Sequence, residues 1–270
     1  MTYTHLMLDI SDKIATITFN RPEARNALSE EMRVDIEGAL GEIKAKAGEE
    51  VKAVIMTGAG GHFCAGGDVK GMAKRKMTPM DHRTRMRSGH HRIYDILHLE
   101  LPVISLVDGA AAGAGCNIAL LADFVFATPR AFFMQAFARI GLVPDWAGFY
   151  ILPRLVGQQR AKELIYSGRR VYAEEAKDLG MVLEVVGQDT AMEETREYAS
   201  RLTHASTDAI AASKNILNQA FNQDFRTLME LEVYAQCLVR ETDFHKEAVR
   251  RFKDKETPLY DWEKLSGLRK

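Results

Sequence analysis

The sequence predicts a mixed α/β fold that ends in an all-helical tail, on three observations. Short apolar, β-branched runs alternate with helical patterns through roughly the first 190 residues, an arrangement that gives parallel strands joined by right-handed crossovers. From Thr190 onward the periodicity is helical without a strand signal. Within the first region, Leu101–Asp123 reads as strand, small-residue turn and helix. The shift in pattern sets a domain boundary near residue 200, with 1–200 as the mixed unit and 201–270 as the helical one.

His5–Ile10 and Lys13–Asn20 alternate apolar and polar residues about a Ser11-Asp12 turn and predict a hairpin. Ser29, followed by Glu30 and Glu31, predicts the start of a helix through about Lys46, because a serine oxygen caps free N–H groups and acids favour the positive end. Its apolar face is Met32, Ile36, Ala39, Leu40 and Ile43. Val51–Thr57 is a buried strand, closed by Gly58-Ala59-Gly60-Gly61. Arg85–Glu100 is expected to form one helix with Met86, His90, Ile93 and Leu97 on one face. Val103–Val107 is a strand and Ile118–Ala122 is helical. Helical patterns then cover Trp146–Leu155, Gln158–Ser167 and Glu174–Leu179, and Val182–Val186 closes the sheet region. Ala191–His204, Thr207–Asn222, Phe225–Glu241 and Thr242–Phe252 supply the tail. Its apolar residues, such as Leu228, Leu231, Val233, Tyr234 and Leu238, fit either a cap on the same chain or a contact with another subunit.

Composition excludes several classes. With 46% hydrophobic and 27% charged residues the chain is an ordinary globular protein, neither disordered nor fibrous. Its 36 basic and 37 acidic residues leave a net charge of −1, so no global field argues for nucleic acid or an anionic membrane. Cys64, Cys116 and Cys237 stand apart without a C-x-x-C pair, which suits a reducing compartment and offers no zinc framework. His90, His91 and His98 lack the i, i+4 spacing of a helical metal site. No metal is expected. The N-terminal stretch does not read as a signal or transit peptide, and no apolar run approaches 18 residues. A cytoplasmic, membrane-free protein is the expectation.

The turn from Gly109 to Gly115 consists entirely of glycine and alanine. Bare backbone there meets a helix N-terminus, where N–H groups lack partners and a partial positive charge accumulates. Such a turn suits an anion, or an oxygen that becomes one. Gly113-Ala114-Gly115-Cys116-Asn117-Ile118-Ala119 matches G-x-G-x-x-A, the dinucleotide fingerprint, but Phe124–Ala127 runs into Thr128-Pro129-Arg130 without the acid that reading needs. The alternative is half of an oxyanion hole. His62-Phe63-Cys64-Ala65-Gly66-Gly67-Asp68 repeats the logic after a second buried strand, so two turns could each aim one N–H at a shared oxygen.

Three segments, Phe19-Asn20-Arg21-Pro22-Glu23-Ala24-Arg25-Asn26-Ala27-Leu28, Phe63–Asp68 and Asp108–Cys116, resemble the enoyl-CoA hydratase/isomerase (crotonase) superfamily in order and spacing over essentially the whole chain. The resemblance implies a crotonase-like β-β-α spiral core with a C-terminal helical trimerisation domain, and a homotrimer or dimer of trimers. It implies a thioester carbonyl held by the N–H groups of Gly67 and Ala114. It places CoA contacts at Arg25 to Leu28, including Arg25 and Ala27, at Ala65, Gly66 and Asp68, and at Phe252 and Lys255, the last pair facing a neighbouring subunit. Coenzyme A enters as part of the acyl-CoA substrate, and no separate cofactor is implied.

Hydratases of this family carry two glutamates, at positions that match Asn117 and Phe137 here. Neither residue can act as acid or base. Asp145, in Gly141-Leu142-Val143-Pro144-Asp145-Trp146, matches isomerase-type members in which one carboxylate shuttles a proton. Walls of Val143, Trp146, Phe137 and Phe149 would desolvate it and raise its pKa. The competing role is an N-cap on the helix that follows. His90 and Asp145 also match the histidine and aspartate of 4-chlorobenzoyl-CoA dehalogenases, with Phe137 where those enzymes carry tryptophan, although His90 lies on an apolar helix face as a core histidine would. The basic run Lys70, Lys74, Arg75, Lys76, Arg83, Arg85, Arg87 and Arg92 fits either the CoA phosphates or a solvated surface. The resulting expectation is an acyl-CoA isomerase with Phe137 lining the acyl site; the alternative is an enoyl-CoA hydratase adding water to a 2-enoyl-CoA in fatty-acid or aromatic-acid degradation.

Overall fold

A computed structural model describes residues 2–68 and 77–267. Leu6–Ser11 (β1) and Ile14–Phe19 (β2) pair antiparallel, Leu6 opposite Phe19, about a turn in which Asp12 and Lys13 are left-handed. Ser29 caps Glu30–Ala45 (α1), its Oγ accepting from Met32 N at 3.2 Å. Ala53–Gly58 (β3) then pairs parallel with β2.

Pro79–Ser88 (α2) and His90–Leu97 (α3) replace the single helix expected over Arg85–Glu100. Thr78 and Asp81 form a capping box that starts α2 earlier, and the chain breaks at Gly89. His90 is exposed rather than packed on an apolar face, and Met86 is 39% exposed; Ile96 is the buried residue of α3.

Val103–Val107 (β4), Ala110–Ala112 (β5), Ala114–Leu120 (α4), Phe124–Ala127 (β6) and Phe132–Met134 (β7) follow. The long helix Gly148–Ser167 (α5) is bent at Gly157, whose φ of 74° no helix interior adopts. Arg170–Tyr172 (β8), Ala173–Asp178 (α6) and Glu184–Val185 (β9) complete the sheets. Among the described residues one sheet runs β1-β2-β3-β4-β6-β9 and a second β5-β7-β8. Each of β4 and β6 is followed by a short strand in the second sheet, and Cys64, after β3, bridges to Ala111 of β5 in the same way. Successive turns of strand, short strand and helix make the β-β-α spiral.

The central strands are apolar on both faces because both faces are covered. On β3, Val54 and Met56 join Met32, Ile36 and Leu40 of α1 in one core, while Ala53 and Ile55 face the other way. That second layer is Ala191–Thr203 (α7), whose Ala191 and Ala199 pack on Ile14, Ile55, Ile104 and Leu106. Beyond it come Thr207–Leu217 (α8), Phe225–Val239 (α9), Asp243–Asp254 (α10) and Trp262–Leu265 (α11). Buried Lys214 of α8 ties this tail to the core, its Nζ donating to Asp123 Oδ2 at 2.7 Å and to Leu101 O at 3.0 Å. Exposed Phe221, Phe225, Tyr234 and Leu238 lie on the tail.

Candidate active site

Gly109 bends the chain out of β4 at φ 64°, where a side chain would strike Gly61 and His62. The β5 segment then meets the first turn: Cys64 N donates to Ala110 O at 3.0 Å and Ala112 N to Cys64 O at 2.9 Å. On its other side this turn is held by the lead-in to α1, with Ala65 N donating to Arg25 O at 2.9 Å and Leu28 N to Gly66 O at 2.8 Å. The bridge to Leu28 uses the carbonyl of Gly66, and the N–H of Gly67 makes no backbone hydrogen bond among the described residues. Ala114 opens α4, where a first-turn N–H has no intrahelical acceptor.

The two turns are in intimate contact. A Cβ on Gly66, which sits at φ 94°, would lie 2.6 Å from Ala112 O and 3.5 Å from Ala114 N. On Gly115 it would lie 2.7 Å from Cys64 Cβ. Only glycine lets the backbones approach this closely. The structure therefore brings Ala65, Gly66, Gly67 and Ala114 together, and buried Phe137 joins them, its Cζ 3.8 Å from a Cβ placed on Gly113.

Polar residues fix the frame. Fully buried Asn26 donates to Ala59 O at 2.9 Å and His62 O at 2.7 Å, while Arg21 N donates to its Oδ1 at 2.8 Å. Arg25, beside it, is exposed with φ 51°. Asp68 pairs with Arg21 at 2.9 Å, which gives it a structural partner at the end of the turn. Burial tends to raise the Asp108 pKa, but hydrogen bonds from Arg130, Gln188 and Thr128 outweigh it and hold the group at about 2. Burial pushes the Cys64 and Cys116 thiols up to about 12, so both are inert core residues.

Asp145 does not cap α5. Trp146 and Ala147 are both left-handed, the helix starts at Gly148, and its N-cap Ala147 supplies no side-chain bond. The segment is tethered instead through its backbone, Asn117 Nδ2 donating to Asp145 O at 2.7 Å and Gln135 Nε2 to Asn117 Oδ1 at 2.7 Å. The Asp145 carboxylate is left available: Oδ1 is buried without a hydrogen-bond partner among the described residues. Of the expected walls, Trp146 and Phe137 are buried, but Val143 is 70% and Phe149 57% exposed. Burial pushes the Asp145 pKa above the ordinary carboxylate range, with the Arg33 and Arg85 charges acting against that rise.

Arg33 is the residue that sequence reasoning missed. It follows Met32 on α1, its guanidinium lies 5.8 Å from the centroid of buried Trp146, and its charge acts on both Asp145 and Cys64. Phe252 is 86% exposed and Lys255 is exposed at the end of α10, so within one chain neither packs into the turns. In the basic segment, Lys70, Lys74, Arg75 and Lys76 lie outside the described residues; Arg85 pairs with Glu30 at 3.1 Å and Arg92 with Glu37 at 2.9 Å, while Arg83 and Arg87 are exposed. A cavity of about 670 Å³ lies between α5 and α8, lined by Leu121, Ile151, Ile210 and Leu217, and contains none of the expected site residues. No cluster of three or more His, Cys, Asp or Glu that could hold a metal, and no helix long and apolar enough to cross a membrane, occurs among the described residues.

The architecture is that of the crotonase fold: a crystal structure of an enoyl-CoA hydratase/isomerase from Cupriavidus metallidurans superposes with a TM-score of 0.91 at 34% identity, over 96% of this chain and 97% of that one. The enoyl-CoA hydratase/isomerase family profile matches residues 9–264. A probable enoyl-CoA hydratase from Rhodobacter capsulatus is 35% identical over 96% of this chain and 99% of its own. The 1,2-epoxyphenylacetyl-CoA isomerase of Escherichia coli is 31% identical, over 94% of this chain and 97% of its own length. The chain belongs to the enoyl-CoA hydratase/isomerase family and is an enzyme of that family.

Proposed function

We propose that the protein isomerises an acyl-CoA thioester by moving a double bond through an enolate. The observation that carries this reading is Asp145, whose buried Oδ1 has no hydrogen-bond partner among the described residues and whose backbone is tied to Asn117 of α4, with Asn117 and Phe137 at the positions where hydratases of the resembling family carry glutamates. The thioester oxygen sits between the N–H groups of Gly67 and Ala114. As negative charge develops on it, each donor contributes about 2.7–4 kcal/mol to the transition state. Asp145 takes a proton from the carbon next to the thioester and returns it two carbons further along, so the double bond moves into conjugation and no water is consumed. A carboxylate with a raised pKa is a stronger base for this task. The similarity to an isomerase of E. coli supports the reading, and hydratases among the relatives keep water addition as the alternative.

Coenzyme A lies along Arg25, Ala27, Ala65, Gly66 and Asp68 in this reading, and Phe252 and Lys255 reach a neighbour's ligand in a trimer or dimer of trimers built by the exposed tail. The free cysteines Cys64, Cys116 and Cys237 fit work in the reducing cytoplasm. The test uses purified protein with a 3-enoyl-CoA and a 2-enoyl-CoA. Conjugated thioester absorbance should grow from the first, and hydration of the second should be slow. Asp145→Asn should abolish isomerisation while CoA binding persists. Efficient hydration that survives in Asp145→Asn would overturn both reaction and residue.

A further inference from the structure

The charges of Arg33 and Arg85 act on Asp145 and that of Arg92 acts on Arg33, and two of the three are paired with acids. Arg85 is paired with Glu30 and Arg92 with Glu37, which also takes His91 Nε2 at 3.0 Å. The Nε atoms of Arg33 and Arg85, like Asp145 Oδ1, are buried without a hydrogen-bond partner among the described residues. The Arg33 guanidinium lies 5.8 Å from the ring centroid of Trp146, the residue next to the proposed base, and its charge is felt both there and at Cys64 of the first turn. A purely hydrocarbon acyl chain would bury these donors against carbon and leave them unpaired, which is unfavourable. An oxygen acceptor on the acyl group would satisfy them, and a guanidinium fork is built for that contact.

We propose that Arg33 is a specificity-determining residue that binds a hydrogen-bond-accepting oxygen on the acyl group, so that the substrates are oxygen-bearing acyl thioesters. The inference rests on the reading of the two turns as the thioester site, but not on which reaction follows.

Saturated thioesters test it without turnover. Calorimetry would compare hexanoyl-CoA with adipoyl-CoA, which adds a terminal carboxylate, and with 6-hydroxyhexanoyl-CoA, which adds a neutral oxygen; butyryl and octanoyl sets with the same end groups cover reach. At least one oxygenated ligand should bind about tenfold tighter than its hydrocarbon counterpart, the effect of one charge-assisted hydrogen bond, and the two arms tell carboxylate from hydroxyl. Arg33→Met should erase the preference while leaving hydrocarbon affinity within about twofold, and Arg33→Lys should restore part of it. Equal binding of all ligands by the wild type, or an equal loss for all of them in Arg33→Met, overturns the proposal. The wild-type comparison decides even if the variant fails to fold. A preference seen in an enzyme that does not isomerise supports this inference and rejects the reaction; failure to bind any acyl-CoA rejects both.

Discussion

Adding one methyl group at Gly115 tests whether the two small-residue turns act as a single rigid unit. An alanine Cβ there would lie 2.7 Å from Cys64 Cβ and nearer still to the Cys64 carbonyl oxygen, at least 0.7 Å short of ordinary contact at 3.4 Å. Cys64 cannot retreat, because its N–H and carbonyl are both bonded to β5, at 3.0 and 2.9 Å. The start of α4 must shift instead, and it carries the N–H of Ala114. Overpacking of this kind costs about 1–3 kcal/mol of stability, and misplacing a reacting group by about 1 Å can cost on the order of a hundredfold in rate. Gly115→Ala should therefore melt lower yet remain folded at 25 °C, with kcat for the double-bond shift down by roughly two orders of magnitude. Circular dichroism, a thermal melt and the conjugated-thioester absorbance would measure this. Gly41→Ala is the control: it lies within α1 with nothing within 4 Å of an added Cβ, so it should gain about 0.5–1 kcal/mol and keep full activity. Wild-type activity in Gly115→Ala would refute the coupling of the turns.

Asp145 carries a raised pKa, so activity should fall as pH drops through a value above the ordinary carboxylate range, read as the acid limb of kcat/KM. The folded state holds that proton more tightly than the unfolded chain, so ionising Asp145 costs stability as pH rises through this window; Asp145→Asn should melt above wild type at neutral pH and converge with it in acid. Asn117→Ala removes the bond to Asp145 O and orphans buried Gln135 Nε2 apart from its 3.5 Å contact to Cys116 Sγ, which should cost about 1–3 kcal/mol in a denaturant titration and lower kcat. Charge on the exposed tail, as in Leu238→Glu, should dissociate the proposed assembly in light scattering while a monomer stays folded.

The features legible in the sequence are those that local chemistry decides. Ser29 caps α1 and the apolar stripe of that helix is buried residue for residue, whereas the glycine–alanine run read as one turn divides into the strand Ala110–Ala112 and a helix that starts at Ala114, with Gly109 and Gly115 at close backbone approaches. Where the reading failed, the deciding contact was distant or conformational. The helix expected over Arg85–Glu100 ignored Gly89 and the Thr78–Asp81 box, and that error put exposed His90 in the core. The competing role of Asp145 as a helix cap is ruled out because two non-glycine residues after it are left-handed, a conformation composition does not announce. Nothing local to α1 singles out Arg33, because its ring neighbour Trp146 is remote in sequence.

Asn117 links these misses to the chemistry. At a position where the resembling hydratases carry an acid, this chain places an amide that donates to the Asp145 carbonyl and accepts from Gln135. A glutamate has no proton to donate when ionised, so it could not make the bond that holds Asp145 O and would set a second negative charge near the first. Gly148 completes the arrangement, since a Cβ there would strike the Asn117 amide. In the proposed reaction one side chain thus stands in for the second carboxylate of the resembling hydratases and ties down the backbone of Asp145. Restoring the acid shows whether the exchange is reciprocal: Asn117→Glu should slow isomerisation through a loosened Asp145 without conferring hydration, because Phe137 still fills the other position. A gain of hydratase activity in that single variant would show that the backbone tether is incidental and that the carboxylate count alone sets the reaction.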